Sequence, residues 1–233
     1  MYYITGDTHR EFEKVYELCE NNDTTEDDVL IILGDVGINF YCDSKDVALK
    51  NELSQLPITL FCIHGNHEER PENIESYQEK ELFSGKVYVE EEYPNLLFFK
   101  DSEIYNIDGN KCIVLGGAYS VDKYYRLANH LEWFEDEQPS DEIKEYAEQK
   151  LDEIGWSVDF VFSHTVPYDY RPTWNFIPGL DESRVDNSTE EWLQEIENKL
   201  SYKEWFAGHF HVDSTEGPIT LMFDEISELM WYE

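Results

Sequence analysis

The chain has 233 residues, and its 52 Asp and Glu residues outnumber its 17 Lys and Arg residues, so the formal net charge at pH 7 is −35. A charge of this size repels duplex DNA and anionic membranes, which are therefore disfavoured as partners, whereas a small phosphorylated substrate could still bind beside a local cation. The hydrophobic content of 41% is enough to fill a core, so we predict a single folded domain over residues 1–233.

Cysteine spacing and the length of the apolar runs favour a cytoplasmic location. The four cysteines show no CxxC spacing, and two of them lie within apolar runs, which is typical of reduced, buried thiols. The longest apolar runs, such as residues 58–63, are far shorter than the ~20 residues that span a bilayer. The first residues also lack the basic and apolar segments of a signal peptide. We therefore expect a cytoplasmic protein with no membrane segment.

The first third of the chain predicts alternating strands and helices. Apolar and β-branched runs at residues 2–5, 29–33 and 58–63 predict three buried strands. Apolar side chains recur at helical spacing in residues 11–20 and 47–56, so we expect the two connecting helices there. This order of elements predicts a mainly parallel sheet with helices on its faces.

The rest of the chain predicts a second sheet with more helices. Short strands at residues 87–89, 96–100, 103–107 and 111–116 are separated by turns, which indicates antiparallel hairpins that belong to the second sheet. Further along, the pattern predicts helices at 139–155 and 190–200 and strands at 159–163, 204–207 and 219–223.

Two segments are predicted to be additions to this two-sheet fold. We predict that residues 119–155 and 165–185 are cap or loop segments over the site described next. The second segment is rich in aromatic residues and proline, so it could stack a base or a sugar, or simply pack on itself.

Polar segments that contain glycine or histidine follow closely on five of the predicted strands. The segments are Gly6-Asp7-Thr8-His9, Gly34-Asp35-Val36-Gly37, Gly65-Asn66-His67-Glu68, Ser163-His164 and Gly208-His209-Phe210-His211. The carboxyl ends of parallel strands meet at one edge of a sheet, where ligands bind, so we expect these segments to converge.

The side chains in these segments are metal donors. Asp7 and His9 are two positions apart, as are His209 and His211, so in extended backbone each pair faces one way. The remaining candidate donors are Asp35, Asn66 and His164. Seven nitrogen and oxygen donors without a thiolate suit Mn, Fe or Zn, and their number suits two ions that share the Asp35 carboxylate. Taken alone, each segment could be an ordinary turn, and a lone histidine after a strand could belong to the core.

The five motifs, in this order from residue 6 to residue 211, resemble those of the calcineurin-like metallophosphoesterase superfamily, in particular its small bacterial and phage members. The resemblance implies an α/β fold, a four-layer αββα sandwich of two mixed β-sheets flanked by helices. It also implies a dinuclear centre. One ion would be bound by Asp7, His9, Asp35 and His211. The other would be bound by Asp35, Asn66, His164 and His209.

The resemblance also implies the chemistry. Two divalent ions, for which we favour Mn over Fe or Zn, would hold a bridging hydroxide that attacks the phosphorus. His67 matches the family's non-ligand histidine, which protonates the leaving oxygen. We therefore predict a dinuclear metal-dependent phosphoester hydrolase, specifically a phosphodiesterase on a small substrate such as a nucleotide, with His67 and Asp35 as its catalytic residues.

Two alternative functions stay open. Protein Ser/Thr phosphatases of this superfamily carry a glycine and an Asp-Arg-Gly sequence in motifs where this chain has Arg10 and Gly37, which disfavours phosphoprotein hydrolysis. Hydrolysis of other phosphomonoesters is one alternative. A non-catalytic protein-binding scaffold is the other, because a retromer subunit with a similar fold acts as an interaction surface.

Two arginines are candidates for substrate binding. Arg10 and Arg70 stand beside the metal-site motifs, where a guanidinium could hold a phosphate. The alternative is an ion pair between each arginine and one of the many acidic side chains of this chain.

Overall fold

A computed structural model describes residues 1–176 and 182–231, which form two β-sheets with helices on their outer faces. The strands are β1 (Tyr2–Thr5), β2 (Val29–Ile32), β3 (Thr59–Cys62), β4 (Tyr77–Leu82), β5 (Gly85–Glu90), β6 (Leu96–Phe99), β7 (Ile104–Ile107), β8 (Asn110–Leu115), β9 (Phe160–Ser163), β10 (Glu204–Ala207), β11 (Ser214–Glu216), β12 (Ile219–Leu221) and β13 (Ile226–Glu228). The α-helices are α1 (Glu13–Asn22), α2 (Ser44–Leu53), α3 (Lys123–Asn129), α4 (Asp141–Glu153) and α5 (Ser188–Glu197).

Both sheets are mixed. The first has the order β13-β1-β2-β3-β6-β5-β4, with β1, β2, β3 and β6 parallel and the flanking strands antiparallel. The second has the order β11-β12-β10-β9-β8-β7, with its four central strands parallel. Parallel central strands place their carboxyl ends at a shared edge of each sheet, which is the arrangement that the chain order predicted.

Alternation along the strands separates the core into layers. In β2, Ile31 lies opposite Ile4 and Phe61, and all three side chains belong to the core between the two sheets. The neighbouring Leu30 and Ile32 point to the other face of the sheet and pack with α1 and α2.

The second sheet repeats this arrangement on its own outer face. There Val161 of β9 packs with Leu151 of α4 and Trp192 of α5. The order of the layers is therefore helix, sheet, sheet, helix, and the prediction of a four-layer αββα sandwich is confirmed.

The prediction for two of the strands was wrong. The strands β5 and β6 belong to the first sheet, not the second, because β6 pairs in parallel with β3 and β5 pairs with β6. The reason is that β6 is apolar on both faces: Leu97 and Phe99 contact the core between the sheets, whereas Leu96 and Phe98 contact the outer core. Beside β3 in the first sheet, both of these faces are covered.

Four elements were not predicted from the sequence, namely β4, β11, β13 and α3. The strand β4 is polar and mostly exposed because it lies at the edge of the first sheet. The helix α3 buries none of its residues, so it shows no apolar periodicity. None of the helices in the described residues is long and apolar enough to cross a membrane.

Candidate metal centre

The turns after β1, β2, β9 and β10 are tied to one another by backbone hydrogen bonds. The His9 N–H donates to the carbonyl oxygen of Asp35 over 2.8 Å, which joins the first two turns. The Gly208 N–H donates to the carbonyl oxygen of His164 over 2.9 Å, which joins the last two. The structure thus brings together all five segments that the sequence singled out, since His67 also donates its N–H to Asp35 Oδ1 over 2.8 Å.

Several residues of these turns have a left-handed backbone. The φ angles of His9, Asp35, His209 and His211 are 46°, 48°, 70° and 50°. Such a conformation is uncommon outside glycine, although Asp and His tolerate it better than most residues, and it is concentrated at functional sites. Here it turns the chain sharply at the end of each strand, so that the side chains converge at one place.

Two glycines make the close approach of the side chains possible. A Cβ atom on Gly34, which has a φ of +99°, would lie 2.1 Å from Nδ1 of His164. A Cβ atom on Gly208 would lie 2.3 Å from Oδ1 of Asp7. These positions accept no larger residue while the neighbouring imidazole and carboxylate stay in place.

The first donor group consists of Asp7, His9 and His211. Oδ2 of Asp7 lies 3.5 Å from Nε2 of His9 and 3.3 Å from Nε2 of His211, and the two Nε2 atoms are 2.8 Å apart. Asp7 is buried, yet its Oδ2 makes no hydrogen bond of good geometry to any described residue. A buried carboxylate oxygen facing two imidazole nitrogens without a hydrogen bond is what a cation site offers.

The second donor group consists of Asp7, Asp35 and His164, with Asn66 beside it. Nδ1 of His164 lies 2.7 Å from the carbonyl oxygen of Leu33, so in the neutral ring Nδ1 carries the proton and Nε2 has a lone pair. That nitrogen is 3.5 Å from Oδ1 of Asp35 and 2.8 Å from Oδ1 of Asn66. The Asn66 amide is oriented by the hydrogen bond from Nδ2 to Ser120 Oγ over 2.9 Å. Acceptor atoms therefore face one another, as ligands do around an ion.

His209 is the seventh predicted donor and lies next to the second group. Its ring centroid is 5.0 Å from that of His164, and its backbone N–H donates to Oδ1 of Asp7 over 2.9 Å. Burial, together with the charge of His164, lowers the pKa of His209 to about 3. Its imidazole is therefore neutral at pH 7 and keeps a lone pair for a metal.

The carboxylates of the centre are ionised. Burial alone would raise the pKa of Asp7, but the imidazoles of His211 and His9 hold it well below its usual value. Burial likewise opposes ionisation of Asp35, and the nearby His164 and His67 lower its pKa. Conversely, Asp7 and Asp35 overcome the effect of burial on His9 and raise its pKa to about 9. Two buried anions among imidazoles fit divalent cations, and the lack of thiolates in the set suits Mn, Fe or Zn.

The floor of a cavity of about 610 Å³ is formed by five of the candidate donors, His9, Asp35, Asn66, His209 and His211. Asp7 and His164 are buried and do not line it. Its other walls come from residues 119–126, 171–176, 185–190 and 209–211. Both segments that the sequence identified as elaborations therefore contribute to the cavity, although residues 177–181 of the second lie outside the described residues. His67 also lines the cavity but belongs to neither donor group.

The structure places Arg10 and Arg70 outside the cavity lining. Nη1 of Arg10 lies 2.5 Å from Oδ1 of Asp46 and also donates to the carbonyl oxygen of Gly37. Arg70 is buried, and its Nη1 lies 2.6 Å from Oδ2 of Asp101. Both guanidinium groups therefore make the ion pairs that the sequence left open as the alternative to substrate binding.

Glu68 is a residue of the site whose role the sequence did not reveal. It is fully buried, and its carboxylate accepts N–H groups from Val36 over 3.3 Å, Gly37 over 3.1 Å and Gly65 over 3.2 Å. It therefore ties the turn after β2 to the turn after β3, beneath Asp35 and Asn66. Its place in the Gly-Asn-His-Glu motif was the available signal, but its partners depend on the fold.

We expect Glu68→Ala to destabilise the protein by about 3 kcal/mol or more, because a buried N–H group left without an acceptor costs ~1–3 kcal/mol and three are affected. The measurement is urea-induced unfolding followed by circular dichroism. Glu69→Ala is the matched control, since among the described residues this neighbouring carboxylate accepts one hydrogen bond, from the Asn73 side chain at the surface. Equal stabilities of the two variants would contradict the structural role of Glu68.

Comparisons with known proteins agree with the fold and the motifs. The crystal structure of TT1561 of Thermus thermophilus superposes with a TM-score of 0.50 at 14% sequence identity, covering 95% of this chain and 87% of that chain. At this identity the likeness shows the fold alone. The crystal structure of phosphopantetheinyl hydrolase from Mycobacterium tuberculosis superposes with a TM-score of 0.49 at 12% identity, with coverages of 95% and 87%.

One sequence relative matches only part of the chain. A UDP-N-acetylglucosamine–N-acetylmuramyl-(pentapeptide) pyrophosphoryl-undecaprenol N-acetylglucosamine transferase from Clostridium novyi (strain NT) is 33% identical over 88 residues. The match covers 38% of this chain, and the chain spans only 23% of the length of that relative.

The family model extends over nearly the whole chain. The model described as calcineurin-like phosphoesterase matches residues 2–213, a range that contains both donor groups and the strands that position them. This family indicates hydrolysis of phosphoesters and is generally dependent on two metal ions, which agrees with the donor groups found here. The chain therefore belongs to the calcineurin-like phosphoesterase family.

Proposed function

We propose that this protein is a dinuclear metal-dependent phosphodiesterase that acts on a small substrate. The observation that carries the proposal is the pair of donor groups, which share Asp7 and both face the Asp35 carboxylate, beside a 610 Å³ cavity. One ion would be bound by Asp7, His9, Asp35 and His211, and the other by Asp35, Asn66, His164 and His209. When bound, two divalent ions, preferably Mn, supply an activated water and neutralise the phosphoryl oxygens.

His67 is proposed to protonate the leaving oxygen. It lines the cavity, its ring centroid is 5.6 Å from that of His9, and its backbone N–H is fixed by Asp35. Burial lowers the pKa of His67, while the Asp35 carboxylate acts in the opposite direction. An anionic phosphoester in the cavity would act in the same direction as Asp35 and favour the imidazolium form, which is the form that gives a proton to the leaving oxygen.

The proposal of a small substrate rests on the cavity. A volume of about 610 Å³ lies in the usual range for small-molecule sites and suits a nucleotide. Phe176 and Phe210 line it with their rings nearly parallel, 13° apart in orientation, and such aromatic surfaces could stack a base. We further propose that residues 1–233 form one domain, and that it is cytoplasmic, because its four cysteines are unpaired.

The test is a pair of initial rates, on bis(p-nitrophenyl) phosphate and on p-nitrophenyl phosphate. We expect chelated protein to be inactive on both, and Mn²⁺ to restore turnover of the diester by about a thousandfold, because bound ions supply several kcal/mol of transition-state stabilisation. Preference for the monoester would instead assign a phosphomonoesterase. Protein that holds two ions and hydrolyses neither ester would be a scaffold, contrary to the proposal.

A further inference from the structure

Two arginines, Arg126 and Arg171, line the cavity, and within the described part of the chain no lysine does. Arg171 is held by uncharged groups: its guanidinium lies 3.6 Å from the ring centroid of Tyr168, its Nε donates to the carbonyl oxygen of Tyr168 over 3.1 Å, and its Nη1 donates to Oδ1 of Asn187 over 2.8 Å. Arg126 is held in a different way.

Arg126 is held by one side chain and one backbone group. Its Nε donates to Oδ2 of Asp122 over 2.8 Å, and its Nη1 donates to the carbonyl oxygen of Glu132 over 3.1 Å. Its Nη2, like that of Arg171, has no hydrogen-bond partner among the residues that the structure describes. Asp122 accepts the hydrogen bond from the Arg126 Nε through Oδ2. Its Oδ1 is shielded from solvent and makes no hydrogen bond to any described residue. This partly exposed pair is therefore one that a better anion can displace.

Packing of the helix α3 in the hydrophobic core does not account for the position of the Asp122–Arg126 pair. Arg126 belongs to α3, which buries none of its residues, and Tyr124 and Tyr125 of the same helix are 58% and 64% exposed. The hydrophobic core therefore does not require this helix, yet the helix places Asp122 and Arg126 on the cavity wall.

The pair lies on the side of the cavity occupied by His67. Asn66, which precedes His67, donates its Nδ2 to Oγ of Ser120 over 2.9 Å, and Ser120 is two positions before Asp122 on the cavity wall. His67, Asp122 and Arg126 all line the cavity. In the proposed reaction His67 protonates the departing oxygen, so the groups next to it face the departing part of the substrate.

We propose that Arg126 binds a second phosphate, carried by the leaving group of the substrate, and that Asp122 holds the guanidinium in place until this phosphate replaces it. The planar fork of donors on a guanidinium matches phosphate oxygens, and a phosphate carries more charge than the Asp122 carboxylate. The inference rests on the proposed function. It narrows the substrate to a phosphodiester whose leaving alcohol bears its own phosphate, such as a short dinucleotide with a terminal phosphate.

The bonds in this reaction are those of ordinary hydrolysis. The oxygen of water forms a bond to the phosphorus of the diester, and the bond from phosphorus to the leaving oxygen breaks. His67 gives its proton to that oxygen, and the proton of the water is released to solvent. The second phosphate takes no part in bond breaking and only positions the leaving alcohol.

The test compares adenylyl-adenosine with its forms that carry a terminal phosphate at either end, using the Mn²⁺-loaded protein and separating the products by chromatography. We expect the wild type to prefer one phosphorylated form in kcat/KM by about 10- to 100-fold, the range of a charge-assisted hydrogen bond, and Arg126→Gln to remove that preference. The matched control is Arg184→Gln, which removes the same charge from a residue outside the cavity lining.

A double-mutant cycle tests the role of Asp122. Asp122→Asn should tighten binding of adenosine 3′,5′-bisphosphate, measured by calorimetry, by severalfold in the wild-type background and not at all beside Arg126→Gln. An Arg126→Gln variant that weakens binding of adenosine monophosphate and of the bisphosphate equally would overturn the inference. So would an Asp122→Asn effect that is the same in both backgrounds.

The two proposals fail in different ways. If the wild type hydrolyses no diester but binds the bisphosphate better than the monophosphate through Arg126, the proposed function is wrong and the second phosphate site stands. If it hydrolyses diesters without any preference for a terminal phosphate, the proposed function stands and the site assigned to Arg126 is wrong.

Discussion

An Asp35→Asn variant is expected to lose about a thousandfold in turnover of bis(p-nitrophenyl) phosphate and to bind fewer divalent ions. The two carboxylate oxygens of Asp35 face different donor groups: Oδ2 is 3.8 Å from Nε2 of His9, and Oδ1 is 3.5 Å from Nε2 of His164. An amide keeps only one oxygen and carries no charge, so one group loses its anionic donor. Since each ~1.4 kcal/mol of lost transition-state stabilisation is a factor of ten, several kcal/mol correspond to the expected loss.

The measurement combines initial rates with metal content by mass spectrometry. Asp43→Asn is the matched control, because it makes the same change of charge at the N-terminus of α2, where the Asp43 carboxylate accepts the N–H of Lys45 over 2.7 Å. Asparagine is an equally good residue at this helix position, so the control should keep both its stability and its turnover. Wild-type metal content and wild-type turnover in the Asp35→Asn protein would show that Asp35 is not a ligand of the metal centre.

The second large effect is expected for His67→Ala, and its size should depend on the leaving group. For a diester with an alkyl leaving group, such as a dinucleotide, we expect kcat to fall by about 10²–10⁴, the range of general acid catalysis. For a p-nitrophenyl ester the fall should be less than about tenfold, because p-nitrophenolate departs without needing a proton. The structure keeps His67 outside both donor groups, so the variant should bind as much metal as the wild type.

His130→Ala is the control for His67→Ala. His130 ends α3 in an exposed position and does not line the cavity, so its removal should leave both rates unchanged. Equal losses on the alkyl and aryl esters would mean that His67 positions the substrate or the metal rather than supplying a proton. Unchanged turnover of the alkyl ester would rule out the acid role altogether.

The arginines that line the cavity are not the ones that lie next to the donor motifs in the sequence. Arg10 and Arg70 are adjacent in sequence to the donor motifs, but their guanidinium groups are bound by Asp46 and Asp101. Arg126 is distant in sequence from every motif and nevertheless lines the cavity. In a chain with a net charge of −35, nearness in sequence says little about which carboxylate an arginine meets.

Much of the fold and of the candidate site could be predicted from the sequence, because both depend on local patterns. Buried strands such as β1 and β10 are short apolar runs, and their predicted bounds agree with the structure. The helices α1 and α4 show apolar residues at a spacing that the structure explains by their packing on the sheets. The seven candidate donors were predicted from polar segments that follow strands at a ligand-binding edge, and the structure brings those seven residues together.

The tertiary structure decided what depends on partners far away in the chain. The sheet to which β5 and β6 belong was settled by the pairing of β6 with β3, since β6 needs cover on both of its apolar faces. The three N–H groups accepted by Glu68 come from two different turns, and no local pattern encodes that meeting. The same holds for Arg126, which reaches the cavity from a helix without an apolar stripe. Burial and turn formation depend on residues that are neighbours in the sequence, so a local pattern predicts them. The partner of a strand edge or of a charged side chain depends on distances that exist only after the chain has folded.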